Sequence, residues 1–195
     1  HTRYGTVTGV QTCALPIYKT KGIKMATVTF KNDIVCNLAG NEINTGDTAP
    51  VVTVVNCDPM LQNEQIGGEG KVQLVVAVPS LDTGVCDAET RRFNTEAASL
   101  EGVEVITVSM DLPFAAARWC GAAGIENLKV CSDFRNKDFA NAYGVLLADG
   151  PLAGITARVI FVIGKDGKVT YKQVVPEITT EPNYEEALEA AKAAC

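Results

Sequence analysis

Apolar and polar positions alternate from Thr27 to Phe30 and again from Ile34 to Cys36, with Lys31-Asn32-Asp33 between them, the pattern of a small β-hairpin. A polar stretch from Asn44 to Pro50 precedes a strand at Val51 to Val55. Gln65-Ile66-Gly67-Gly68-Glu69-Gly70 reads as a turn, and it lacks the lysine and spacing of a phosphate-binding loop. Lys71 to Val78 is a nearly unbroken apolar, β-branched run, which predicts a central strand buried on both faces, and Val103 to Ser109 predicts a second. Between them Pro79 to Val85 breaks the strand, and Cys86 to Leu100 takes up helical spacing. A short helix is expected at Phe114 to Cys120, behind Pro113 and ending at Gly121, then a strand at Leu128 to Cys131 and a helix at Lys137 to Tyr143. Val159 to Ile163 and Val169 to Val175 flank Gly164-Lys165-Asp166-Gly167 as a hairpin, and Tyr184 to Ala194 closes the chain as a helix. The order predicts an α/β fold: a central mixed sheet with helices on both faces, preceded by an N-terminal β-hairpin.

At 195 residues the chain fits one domain, and 47% hydrophobic residues against 21% charged exclude a disordered protein. The longest apolar runs are too short to span a bilayer, so no membrane partner is expected. A net charge of −6 without a basic stripe argues against a nucleic-acid partner. The first 24 residues differ from the rest: they hold Arg3, Lys19, Lys21 and Lys24 and no acidic residue. Val7 to Ile17 back-translates, codon by codon, into a sequencing adapter. Residues 1–24 are therefore expected to be a non-native extension, and 25–195 the domain, with Met25 as its start. Cys13 and the single histidine, His1, fall in that extension.

Removing them narrows the chemistry. Six cysteines remain (Cys36, Cys57, Cys86, Cys120, Cys131 and Cys195), with no C-x-x-C pair among them. Without histidine neither a structural zinc site nor a Cys–His or Ser-His-Asp nucleophile is available, so no metal and no cofactor are expected. Most of the cysteines read as packing, Cys36 and Cys131 in particular; Cys57 sits unexplained in a turn, and Cys195 is terminal. Cys86 differs, because it stands where a buried strand gives way to the first turn of a helix. Unpaired N–H groups and the positive end of the helix dipole favour a thiolate there. Asp82 and Thr83 are candidate caps, and Thr83, three residues before Cys86, lies on the same helix face. Pro79 has no N–H and would roof the pocket without competing for hydrogen bonds. Read from the residues alone, a reactive thiolate and a capped helix with an inert cysteine stay equally open.

Pro79-x-x-x-Thr83-x-x-Cys86 resembles the active-site motif of the peroxiredoxins, and Pro79-Ser-Leu-Asp-Thr-Gly-Val-Cys86 resembles their thiol peroxidase branch, the atypical 2-Cys type. Asp111-Leu-Pro-Phe-Ala, Arg118-Trp-Cys-Gly121, Phe134-Arg-Asn136, Ala142-Tyr-Gly-Val145, Asp149-Gly-Pro-Leu152, Ala157-Arg158 and Glu177-Ile-Thr-Thr-Glu-Pro182 continue the likeness in order. It runs from Met25 to the C-terminus, whereas residues 1–24 match nothing in the family. The resemblance implies a thioredoxin-like fold and a peroxidase acting on hydrogen peroxide and organic or lipid hydroperoxides.

In such enzymes the motif cysteine, here Cys86, is peroxidatic, open to the incoming peroxide and oxidised to a sulfenic acid. Thr83 would orient the peroxide. Arg158, expected on a late core strand, would stabilise the thiolate and the departing oxygen. Cys120 matches the resolving position and would close a Cys86–Cys120 disulfide, recycled by thioredoxin. A disulfide needs α-carbons within roughly 7 Å, which two separate helices do not offer, so both helix ends are expected to unwind at Gly84 and Gly121. Trp119, Phe93, Leu81, Phe114 and Leu152 are candidates for an apolar rim. The branch also implies a homodimer, with Asp149 to Leu152 near its interface, and the lack of an export signal points to the cytoplasm. A peroxide-sensing interaction protein on the same fold is the alternative reading; the absent C-x-x-C disfavours a disulfide oxidoreductase.

Overall fold

The computed structural model describes residues 26–195; the expected extension, Cys13, His1 and the Met25 start lie outside the described residues. A hairpin of β1 (Thr27–Phe30) and β2 (Ile34–Ala39) pairs with the two-residue β8 (Leu146–Leu147) to form a small antiparallel sheet. The main sheet has seven strands: β3 (Val52–Asn56), β4 (Asn63–Ile66), β5 (Val72–Ala77), β6 (Val103–Ser109), β7 (Lys129–Ser132), β9 (Val159–Ile163) and β10 (Val169–Val174). Their spatial order is β10-β9-β5-β6-β7-β3-β4. β5, β6 and β7 run parallel and the other neighbours antiparallel, so the sheet is mixed as expected.

β5 reads as an unbroken apolar run because it feeds two cores. Val72, Leu74 and Val76 pack on one side of the sheet, and Val75 and Ala77 on the other. The first side is covered by α1 (Gly84–Ala97), α2 (Pro113–Ala123) and α4 (Tyr184–Ala193), which contribute Phe93, Ala116, Trp119, Tyr184 and Ala187. The second is covered by α3 (Asp138–Ala142), with Phe139 and Ala140, and by the N-terminal hairpin through Val28, Cys36 and Leu38. One face is therefore helical, and the other is shared between a single short helix and the small sheet.

Local details depart from expectation. β4 occupies the start of the segment expected to be a turn; it is a half-exposed edge strand paired only with β3, so its sequence shows little apolar alternation. β2 continues past Cys36 to Ala39. α1 begins two residues earlier than expected, at Gly84, and ends at Ala97. α2 does not stop at Gly121. It runs on to Ala123 and ends at Gly124, whose left-handed φ of 68° is the geometry of a helix C-terminus.

Candidate active site

The site is assembled where β5 hands over to α1. Pro79 is buried two residues after β5, and the loop behind it is held by one carboxylate from just beyond β6. Asp111 accepts from Ser80 Oγ at 2.8 Å, from the Leu81 N–H at 2.8 Å and from Ser109 Oγ at 2.9 Å. That three-way anchoring sets the point at which α1 starts. Thr83 is the N-cap residue, but its side chain does not cap the helix. Its hydroxyl donates instead to the Ser80 carbonyl at 3.0 Å, within the loop.

Cys86 lies in the first turn of α1, and Arg158 meets it from the residue just before β9 rather than from within the strand. The guanidinium donates from Nη2 to Cys86 Sγ at 3.4 Å. It is fixed by two further bonds to the Ile178 carbonyl, from Nε at 3.2 Å and from Nη2 at 3.0 Å. The segment Glu177 to Pro182 thus orients the arginine through its backbone. Nη1 pairs with Glu89, one helical turn beyond Cys86. Cys86, Arg158 and Glu89 are at most 1% exposed. An always-charged fork with a sulfur and a carboxylate on its prongs is an arrangement for holding negative charge out of water.

The burial corrects one expectation: the sulfur of Cys86 is closed off in this state rather than open to solvent. Thr83 and Gly84 just above it are exposed, so the cover on that side is a single helical turn.

Glu89 was not among the residues singled out from the sequence, since a glutamate in a charged helix reads as a solvated side chain. Its spacing, three residues after Cys86 and six after Thr83, was the available signal. Burial raises its pKa from the ordinary 4.5 to about 7, against the opposing pull of Arg158. Its Oε1 is buried with no hydrogen-bond partner. Arg158 moves upward: burial opposes its charge, but the attraction of Glu89 and Cys86 prevails.

Because the folded protein keeps a proton on Glu89 that the unfolded chain releases, that residue's contribution to stability is full below about pH 4.5 and is lost as pH rises through about 7. Between pH 5 and 7.5 the loss is about 2 kcal/mol. Glu89→Gln keeps the shape without the titration. Its urea stability relative to the parent is expected to improve by that amount over the same pH range; a difference that stays constant with pH would refute the shift.

Cys120 is on α2, half-buried, and its sulfur faces Cys57 at 3.7 Å rather than Cys86. The two helices still meet beside the cysteines: Trp119 Nε1 donates to Asp87 Oδ1 at 3.0 Å, and Arg91 Nη1 donates to the Ala123 carbonyl at 2.9 Å. All six described cysteines are free thiols, with Cys36 and Cys131 in the core as expected. The proposed rim is only partly present. Phe93 is fully buried against Tyr184, with ring centroids 5.2 Å apart, and Leu152 packs against the core on the opposite face, whereas Phe114 is exposed.

The Redoxin family model matches residues 44–188. The chain belongs to the Redoxin family. Among its relatives in that family, a thiol peroxidase of Halalkalibacterium halodurans is 51% identical over 87% of this chain and 99% of its own length. One from Aquifex aeolicus is 50% identical over 85% of this chain and 96% of its own length. A crystal structure of a peroxiredoxin-like protein from Aquifex aeolicus superposes with a TM-score of 0.83 at 49% identity, covering 88% of this chain and 99% of that one. This Redoxin-family chain is a peroxiredoxin-type peroxidase with a thioredoxin-like fold. No helix among the described residues is long and apolar enough to cross a membrane.

Proposed function

We propose that Cys86 is the peroxidatic cysteine of a hydroperoxide reductase, with Arg158 and Thr83 as its catalytic partners and Cys120 as its resolving cysteine. The observation that carries this reading is the Arg158 guanidinium directed at the Cys86 sulfur inside a buried, charge-compensated cluster. The thiolate attacks the terminal peroxide oxygen; the O–O bond breaks, a sulfenic acid forms on Cys86, and water or an alcohol leaves after taking up a proton. Arg158 stabilises the sulfur anion and the charge appearing on the departing oxygen. The Thr83 hydroxyl donates its hydrogen bond to the Ser80 carbonyl, so its lone pairs are free to accept from the O–H of a hydroperoxide. Pro79 closes the strand side of the pocket without a competing donor. Since Cys86 is covered by the first turn of α1, substrate reaches it when that turn opens at Gly84, and the same opening carries the sulfenic acid toward Cys120. Gly84 opens α1 and Gly121 lies in the last turn of α2, and the conformational freedom of glycine makes them the proposed yielding points of this movement.

Cys120 then attacks the sulfenic sulfur, water leaves, and a Cys86–Cys120 disulfide remains for a dithiol reductant. Thioredoxin is the proposed reductant, hydrogen peroxide and organic or lipid hydroperoxides the substrates, and the cytoplasm, whose redox poise suits six free thiols, the setting. A homodimer is proposed, with Asp149 to Leu152 near its interface; Asp149 braces that loop against the β2 residue Asn37 through bonds of 2.8 and 2.6 Å.

The test is steady-state consumption of hydrogen peroxide and cumene hydroperoxide in the presence of thioredoxin, thioredoxin reductase and NADPH. The wild-type protein is expected to turn over continuously. Cys120→Ser is expected to consume a single equivalent and stop, with sulfenic acid trapped on Cys86. Continued thioredoxin-linked cycling by that variant would remove Cys120 from the mechanism.

A further inference from the structure

Cys57 has no part in the chemistry above, yet its sulfur lies 3.7 Å from that of Cys120. It occupies the turn after β3, where its N–H donates to the Val130 carbonyl of β7 at 3.0 Å, so the sheet holds it in place. An S–S bond is about 2.05 Å long, so the two sulfurs need to close by roughly 1.7 Å. Cys86 has no such head start, its sulfur being held by Arg158.

The thiols are also unequal. The hydrogen bond from Cys120 lowers the pKa of Cys57, against burial and the nearby Asp58. The same bond, with burial behind it, raises Cys120. The contact therefore favours an anion on Cys57 over one on Cys120. Beside it opens a cavity of about 520 Å³ bordered by Cys57, Asp58, Cys120, Glu126 and Lys129. Cys120 is half-exposed, whereas Cys86 is fully enclosed.

We propose that Cys57 is a third redox cysteine, which takes Cys120 from Cys86 by disulfide exchange. This rests on the reading of Cys86 and Cys120 as the peroxidatic and resolving pair. The Cys57 thiolate attacks the Cys120 sulfur of the Cys86–Cys120 disulfide; the Cys57–Cys120 bond forms, the Cys86–Cys120 bond breaks, and Cys86 leaves as a thiolate. No external oxidant, reductant or proton is needed. The direction follows from the leaving group. Cys86 returns to the Arg158 guanidinium and the α1 N-terminus, both of which favour its anion, and a disulfide whose reduced form is so stabilised is the stronger oxidant. The exchange empties the peroxide site and leaves the oxidising equivalent beside an open cavity, where an external dithiol can attack Cys120.

The experiment titrates pre-reduced protein with hydrogen peroxide in the absence of reductant, measures the peroxide consumed, and maps disulfides in rapidly alkylated samples. A freed Cys86 reacts again, so the wild type is expected to consume about two equivalents, ending with a Cys57–Cys120 disulfide and a sulfenic acid on Cys86, whereas Cys57→Ser and Cys57→Ala stop at about one with Cys86–Cys120. In time, Cys86–Cys120 should appear first and Cys57–Cys120 replace it. A wild-type protein that stops at one equivalent with only Cys86–Cys120 overturns the relay, and that result needs no variant to fold. Formation of Cys57–Cys120 at the same rate in Cys86→Ser also overturns it, because the pair would then be oxidised directly. Peroxide consumption by Cys86→Ser at the wild-type rate is a separate signature and overturns the underlying reading.

Discussion

Cys86→Ser is expected to reduce hydroperoxide turnover to the uncatalysed background, a loss of at least about 10³-fold, while leaving a folded protein. The two side chains differ by one atom and have nearly the same shape, so the enclosed position tolerates the exchange. The chemistry does not. A serine hydroxyl is a poor nucleophile without a base, and the cluster contains no histidine to take its proton, whereas sulfur is the intrinsically stronger nucleophile toward an O–O bond. Arg158 can hold an anion on the residue at position 86 only if that residue ionises. The measurement is peroxide remaining after mixing with pre-reduced protein, alongside circular dichroism to establish the fold. Retention of even a tenth of wild-type turnover would move the reacting sulfur to another cysteine.

Arg158→Met should be nearly as damaging, by a different route. It removes the donor to the Cys86 sulfur and the positive charge that faces the departing oxygen, and a lost donor of this kind costs about 10²- to 10³-fold in rate. It also strands Glu89 and the Ile178 carbonyl, both of which rely on this guanidinium inside the core. Stability should therefore fall by about 1 to 3 kcal/mol, the scale for leaving buried polar groups without a hydrogen-bond partner. Arg158→Lys separates the two effects: it restores a charge but not the fork that reaches Ile178, Glu89 and Cys86 at once. Its expected rate of Cys86 oxidation lies between those of the parent and Arg158→Met. A methionine variant within threefold of wild type in single-turnover oxidation of Cys86 would refute the role.

The main architecture was legible because its signals are local. β5 is apolar throughout since both of its faces are covered, and the β9–β10 hairpin announces itself by Gly164 to Gly167 between two β-branched runs. The place of Cys86 at a strand-to-helix junction was legible for the same reason. The partners of the site were less so, because they are set by tertiary packing. Glu89 looks like any helical surface glutamate until the residue before β9 delivers Arg158 against it. Cys57 looks like a turn residue until β3 pairs with β7 and α2 packs over them. Thr83 was expected as a candidate cap of α1, but its side chain makes no capping bond and its hydroxyl donates to the Ser80 carbonyl within the loop. The end of α2 was misplaced by three residues because two glycines were available, and only Gly124 takes the left-handed conformation.

The hydrogen bond between Trp119 and Asp87 has a practical consequence. The chain's single tryptophan directly precedes Cys120, and the carboxylate it binds directly follows Cys86. Any movement that draws Cys86 and Cys120 together must strain or release this indole contact, changing the polarity around the ring. Tryptophan emission, excited selectively over the five tyrosines and arising from one indole at the meeting point of the two helices, therefore offers a label-free optical trace of each half-reaction in real time.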